Sequence, residues 1–263
     1  MRTTIVLPVS RPDWLPIVFA ALELLDCDRE QTSLLTYVDG DASLYLAARN
    51  LTESSKFASR LCIQRKPDSR SRYDLRARRI RIASLHNEMK QHVPMDCDYV
   101  FSIEDDTVIP PYALTKLMHL YMTHPFAGLV SGVQLGRHGL AHVGAWTTDD
   151  VYEPTAITSV MPGTDQIVEV DATGLYCALI KRANYMGHDF AVFDPNAYGP
   201  DIALGFALRR SGYRNYADFG IPVEHRRTDG ETLTLANTNV QQVKLTKEAN
   251  GWRQEIVGDL KLP

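Results

Sequence analysis

Cysteine is scarce and contains no C-x-x-C pair: Cys27, Cys62, Cys97 and Cys177 stand far apart in the 263 residues. That spacing excludes a zinc knuckle and a dense disulfide framework, and a reducing, cytoplasmic setting is the expectation. No apolar run reaches membrane-spanning length, and the opening stretch MRTTIVLPVSRPDW meets Pro8 and Pro12 too soon for a signal peptide. Transmembrane segments are therefore not expected. Charge of one sign is not in excess either, since a formal net charge of −4 gives no global attraction to nucleic acid or anionic membrane. Repeats, low-complexity tracts and a clear linker are also missing. What is present is a globular composition, 44% hydrophobic and 23% charged, enough for a sizeable core in one large domain.

Apolar strands alternate with amphipathic helices through the first half. TTIVLPV (3–9) is continuous and β-branched, as a strand buried on both faces should be. After it Trp14, Ile17, Val18, Ala21, Leu22 and Leu25 recur at helical spacing, with Asp13 as N-cap. SLLTYVDGD (33–41) and RLCIQRK (60–66) read as the second and third strands. A long helix is predicted over 73–93, with Leu75, Ile82, Leu85, Met89 and Val93 as its apolar stripe and Pro94 as its stop. DYVFSI (98–103) is the fourth strand, and a helix follows with Pro111 in its first turn and Leu114, Leu117, Met118 and Tyr121 inward. This alternation predicts a mostly parallel sheet covered on both faces. From Pro125 onward short strands and turns take over, with a helix over GPDIALGFALRRSG (199–212) and a last strand toward IPVEH (221–225). The residues from Arg226 read as polar loop, with a weak regular signal near NVQQVKL.

Glu104, Asp105 and Asp106 directly follow the fourth strand. One carboxylate there is explained by the start of the next helix, where it accepts from free backbone amides. Three adjacent carboxylates repel one another, and a hard divalent cation such as Mg2+ or Mn2+ relieves them. In open α/β sheets ligands bind beyond the carboxyl ends of the strands, so the ends reading VS, VDGD and IEDD converge on one cleft.

This order of parts resembles the GT-A class of nucleotide-sugar glycosyltransferases, particularly the family 2-like enzymes, over about residues 3–225. The resemblance implies a Rossmann-like α/β fold, a mostly parallel central sheet flanked by helices with a smaller acceptor-side subregion. It implies one domain, with a nucleotide-donor half over 1–125, an acceptor and catalytic half over 126–225, and a loop-like tail over 226–263. Val9, Ser10 and Arg11 in LPVSR would hold the donor, and Asp39 would read base or ribose. EDD stands as a variant of the D-x-D motif, with Asp106 as first metal ligand, Glu104 as a further candidate, and Asp105 on the donor. His225, the late His of the pattern, would be the second protein ligand, leaving other positions to water and phosphate. Inverting transfer needs a carboxylate base for the acceptor hydroxyl, and Asp201 in YGPDIAL takes that role, with Asp194 in reserve. Its structural alternative is a helix cap.

Arg60, Arg65, Lys66, Arg70, Arg72, Arg76, Arg78, Arg79 and Arg81 form a dense basic region. Most of such a run is ordinarily a solvated helix face. The resemblance implies Arg78, by its spacing to EDD in related enzymes, on the pyrophosphate, with Arg81 as the alternative, and the others could serve a polyanionic acceptor such as nucleic acid. Arg226 and Arg227 lie in a polar loop that could close over the diphosphate. Gly174 would let backbone approach the acceptor sugar and Trp146 would stack on it, against a plain turn and a core role.

A nucleotidyltransferase would want a Gly-rich phosphate loop after the first strand, and LPVSRPDW has no glycine. A non-catalytic relative should lack some of the acids, whereas the metal, base and late-His positions are all filled. A processive polysaccharide synthase would carry Q-x-x-R-W, which is missing. The expectation is a non-processive, inverting transferase using Mn2+ or Mg2+, with a UDP-sugar ahead of a GDP-sugar as donor. Glycan, protein and modified DNA base all stay open as acceptor.

Overall fold

The computed structural model describes residues 1–66, 74–136, 141–192, 194, 198–226 and 230–260. Arg70, Arg72, Tyr73 and Arg227, singled out above, lie outside the described residues.

In chain order the first half contains β1 (Thr3–Val9), α1 (Leu15–Glu23), β2 (Thr32–Val38), α2 (Ala42–Ser54), β3 (Ser59–Gln64), α3 (Leu75–Lys90), β4 (Tyr99–Ile103), β5 (Thr107–Val108) and α4 (Ala113–Thr123). There follow β6 (Ala127–Gln134), β7 (Ala145–Thr148), β8 (Ala156–Ser159), β9 (Ile167–Val170), β10 (Ala172–Thr173) and β11 (Cys177–Lys181). The chain continues through α5 (Arg182–Gly187), α6 (Pro200–Arg210), β12 (Arg214–Arg226), β13 (Thr232–Leu233), β14 (Val240–Glu248) and β15 (Gly251–Leu260).

The main sheet runs β13-β12-β6-β11-β4-β1-β2-β3, with β5 and β9 also paired to β12. β3, β2, β1 and β4 are parallel, as are β6 and β12, while β11 enters antiparallel between β4 and β6. Alternate residues of β1 feed two cores, as the pleat requires. Ile5, Leu7 and Val9 pack with α1, α2 and α4 through Phe19, Leu22, Leu44, Leu114 and Leu117. Val6 faces the other way, toward Leu85 and Met89 of α3, Tyr185 of α5 and Leu204 of α6. The result is the sheet with helices on both faces that the alternation predicts.

A second sheet, β10-β7-β8-β14-β15, is antiparallel and packs on α6. Gly205 sets that distance, because a methyl there would stand 2.6 Å from Ala172 Cα and 2.8 Å from the Asp171 carbonyl oxygen. Only glycine allows the helix so close.

Several local expectations are corrected. α1 starts after Trp14 with no side-chain cap, so Asp13 does not cap it, and Pro16 lies in its first turn instead. Ile17, Leu75 and Ile82 are exposed, whereas Leu85, Met89 and Val93 are buried as expected. Pro111 precedes α4, whose N-cap is Tyr112. α2, capped by Asp41 on the Leu44 amide, was missed because its mean apolarity is low and only Leu44, Ala48 and Thr52 face inward. Residues 230–260 are not only loop: β13 joins the main sheet, and β14 and β15 form a long hairpin in the second. Alternation there is diluted by charged residues, and β15 is largely exposed, so few apolar positions mark it.

Candidate active site

The parallel strands β1, β2 and β4 end side by side, and the residues just past them form one cluster. The Asp39 amide bonds the Val9 carbonyl at 2.7 Å, closing the ends of β2 and β1 together. Val9 itself is buried in the core with that carbonyl occupied, so its side chain is not part of the donor surface.

Asp105 is committed to the loop after β1. Its Oδ2 accepts from the Ser10 amide at 2.6 Å, the Arg11 amide at 2.9 Å and Ser10 Oγ at 3.2 Å. Its Oδ1 accepts from Arg11 Nε at 3.1 Å and from Arg11 Nη2. Arg11 also places Nη1 2.8 Å from Asp106 Oδ2. Burial alone would lower the Arg11 pKa, but Asp105 and Asp106 raise it above its ordinary value.

β12 brings the late histidine to the same point. His225 pairs with Thr107 across β5 and β12, and the Arg226 amide bonds the Asp106 carbonyl at 2.8 Å. His225 Nδ1 lies 2.7 Å from the Leu135 carbonyl oxygen, which can only accept, so Nδ1 carries the proton. Nε2 then faces Asp106 Oδ2 at 3.2 Å. A lone pair against a carboxylate oxygen is repulsive unless a positive charge, a second ring proton or a metal ion, lies between them.

That observation tests the fit of a divalent cation. Two ligands at right angles around a metal at about 2.1 Å stand about 3 Å apart, close to the Nε2–Oδ2 separation. A histidine ligand also ordinarily donates its other ring N–H to a carbonyl or carboxylate, as Nδ1 does here. Among the described residues no three His, Cys, Asp or Glu side chains are gathered as a complete cage. The donor set therefore fits a cation whose remaining positions belong to substrate oxygens and water.

Glu104 completes the acidic wall. Burial, then Asp106 and Asp201, push its carboxyl up to about 7, against the opposing influence of His225 and Arg11. Asp201 sits in the first turn of α6 after the Gly199 cap. Burial raises its pKa, offset in part by the amides of Ile202 and Asp201 and by Arg79. A methyl on Gly174 would collide with Tyr176 Cε1 and stand 3.6 Å from Asp201 Oδ2, so glycine lets the Tyr176 ring pack against the backbone beside that oxygen.

The arginines divide differently from the expectation. Arg81 pairs through Nε and Nη2 with both oxygens of Asp39, and the two are only 7% and 5% exposed. Arg65 Nη1 adds a second cation 3.7 Å from Asp39 Oδ2. Arg81 thus stands at the end of β2 beside Asp39. Arg78 is half-buried in the first turn of α3. Arg79, passed over in the sequence, is the arginine in electrostatic reach of Asp201 and Asp194, with burial lowering its pKa. Its helical spacing to Ala83, His86 and Lys90 is legible in the sequence, but the burial of that polar face is not.

Much of the basic region is spent internally. Arg60 bonds the carbonyls of Glu53 and Ser55, and Arg65 bonds Glu88 and Ser84. Arg226 bonds Thr232 Oγ1 at 2.6 Å and Glu224 Oε2 at 2.7 Å. Trp146 is buried in the small core between α6 and the second sheet. The four cysteines are free, and no described helix is long and apolar enough to cross a membrane.

No family model and no curated protein sequence matches the chain. Solved structures do. One is the mannosyltransferase PcManGT from Pyrobaculum calidifontis in complex with GDP-Man and Mn2+, with a TM-score of 0.56 at 16% identity over 81% of this chain and 53% of that one. Another is S. aureus TarS 1-349 in complex with UDP-GlcNAc, with a TM-score of 0.53 at 11% identity over 82% of this chain and 56% of that one. The chain thus spans about half the length of these structures. It has a GT-A-like glycosyltransferase fold.

Proposed function

We propose that the chain is a single-domain, metal-dependent glycosyltransferase that moves a sugar from a nucleoside-diphosphate sugar to an acceptor hydroxyl with inversion. The observation that carries this reading is His225 Nε2 set 3.2 Å from Asp106 Oδ2, in electrostatic company with Glu104 and Asp201. The neighbours hold GDP-Man with Mn2+ and UDP-GlcNAc, which supports a nucleotide sugar as the donor class.

In this reading Asp106 and His225 hold Mn2+ or Mg2+, and Glu104 supports them through water. When bound, the ion would stabilise charge on the departing diphosphate. Asp39, at the end of β2, would read base or ribose, with Arg81 and Arg65 holding its carboxylate in place. Asp201 Oδ2, facing Gly174, takes the proton from the acceptor hydroxyl as its oxygen attacks the anomeric carbon, and the raised pKa suits a base that must hold that proton. Arg79 steadies the Asp201 charge before the proton arrives. The donor half is formed by residues 1–125 and the acceptor half by 126–225.

Calorimetric titration of UDP and of GDP, each with Mn2+ and with a chelator, tests the reading. Mn2+-dependent binding of one nucleotide that disappears in Asp106→Ala is the expected result, and that nucleotide names the donor. Asp201→Asn should bind the same nucleotide unchanged yet fail in transfer. Absence of binding in every condition, or normal transfer by Asp201→Asn, would reject the donor site or the base respectively.

A further inference from the structure

The acidic cluster already contains a positive charge of its own. The Arg11 guanidinium bridges two carboxylates, with Nε and Nη2 on Asp105 Oδ1 and Nη1 2.8 Å from Asp106 Oδ2. The oxygen it holds on Asp106 is the one that faces His225 Nε2. A divalent ion between Asp106 and His225 would therefore stand almost against the guanidinium, and two cations so close in a partly buried site repel strongly.

Resting on the glycosyltransferase reading, we infer that Arg11 is an internal counter-ion that competes with the metal. The ion binds well only when a diphosphate draws the guanidinium off Asp106.

The local geometry allows this exchange without loss of the loop. Asp105 Oδ2 is held by the two backbone amides and Ser10 Oγ, none of which depends on the guanidinium. The loop after β1 stays anchored when the Arg11 side chain swings. That side chain keeps 24% of its surface exposed while Asp105 and Asp106 keep 3% and 1%, so the mobile partner is the arginine. A diphosphate offers the planar guanidinium a bidentate acceptor of higher charge than Asp106, making the transfer of partners favourable. Metal and nucleotide then bind as a coupled pair, each clearing the way for the other, and such coupling is reciprocal.

The test titrates Mn2+ by the paramagnetic resonance signal of the free ion, alone and with saturating UDP or GDP, on wild type, Arg11→Gln and Arg11→Lys. Wild type should hold Mn2+ alone about tenfold or more weakly than with nucleotide, and Arg11→Gln should bind Mn2+ alone about tenfold more tightly than wild type. Arg11→Lys, which keeps a charge but cannot bridge both carboxylates, should fall between them. It also serves as the reporter if Arg11→Gln fails to fold by circular dichroism. Equal affinity for Mn2+ alone in wild type and the variants, with nucleotide-dependent binding intact, would overturn the role of Arg11 and leave the donor site standing. Failure of wild type to bind either nucleotide or Mn2+ would overturn both.

Discussion

Trp252 Nε1 donates a hydrogen bond to Asp194 Oδ2 at 2.7 Å, tying the last strand of the chain to the segment that enters α6. The Trp252 ring also meets Tyr198 edge-on at 6.5 Å, and Tyr198 meets Phe206 of α6 at 5.5 Å. The C-terminal hairpin is thereby connected to the helix whose first turn carries Asp201.

Trp252→Phe keeps an aromatic ring against Tyr198 and removes only the N–H donor. If β15 helps to place the base, the variant should bind donor nucleotide and Mn2+ as wild type does and turn over several-fold more slowly. The stability cost of one such hydrogen bond to a carboxylate should be about 1.5–3 kcal/mol. Calorimetry paired with a transfer or donor-hydrolysis assay separates the two quantities. Unchanged turnover would make the hairpin a packing element with no influence on Asp201.

The parallel half of the fold was legible because β1, β2 and β4 are largely apolar runs and α1 and α4 show an inward stripe, whereas β3 buries none of its residues and α3 exposes Leu75 and Ile82. The cleft was legible for the same reason, since the ends of β1, β2 and β4 could be aligned and their polar residues read off. What stayed hidden depends on partners distant in sequence. The Arg81–Asp39 pair was not legible, because nothing in the neighbourhood of Arg81, the alternative to Arg78 for the pyrophosphate, announces an acid on another element. The bonds from Ser10 and Arg11 to Asp105 were hidden likewise, because those partners lie in the loop after β1, far from Asp105 in sequence. β15 was hidden by physics of another kind, because an exposed edge strand carries charge to resist pairing with other chains and so loses the alternation that identifies a strand.

The Asp39–Arg81 pair yields a prediction that does not depend on activity. Removing one member leaves a buried charge without its partner, a change that costs about 3–5 kcal/mol in comparable sites. Arg81→Gln should fall near the low end, because Arg65 Nη1 is still 3.7 Å from Asp39 and shares the carboxylate. Asp39→Asn/Arg81→Gln should be destabilised by less than the sum of the single variants, as measured by urea unfolding. Additive losses would show that the two side chains are not energetically coupled.

His86 predicts how stability falls with acid. It is buried on α3, stacked on Phe190 at a ring separation of 4.7 Å, with Lys90 one turn along the helix and, among the described residues, no hydrogen-bond partner at Nδ1. Burial, and then the Lys90 charge, lower its pKa from 6.5 to about 4. The folded protein therefore prefers the neutral ring. As pH falls below about 6.5 the unfolded chain takes up a proton that the folded chain refuses, so stability is lost until the folded value near 4 is reached. Between pH 7 and pH 4.5 this single residue should remove roughly 2 kcal/mol. His86→Phe keeps the ring contact with Phe190 and removes the titration, so its urea midpoint should decline less than that of wild type over the same interval. Equal declines in both proteins would mean that His86 accepts its proton in the folded state, and the buried, neutral imidazole on α3 would have to be abandoned.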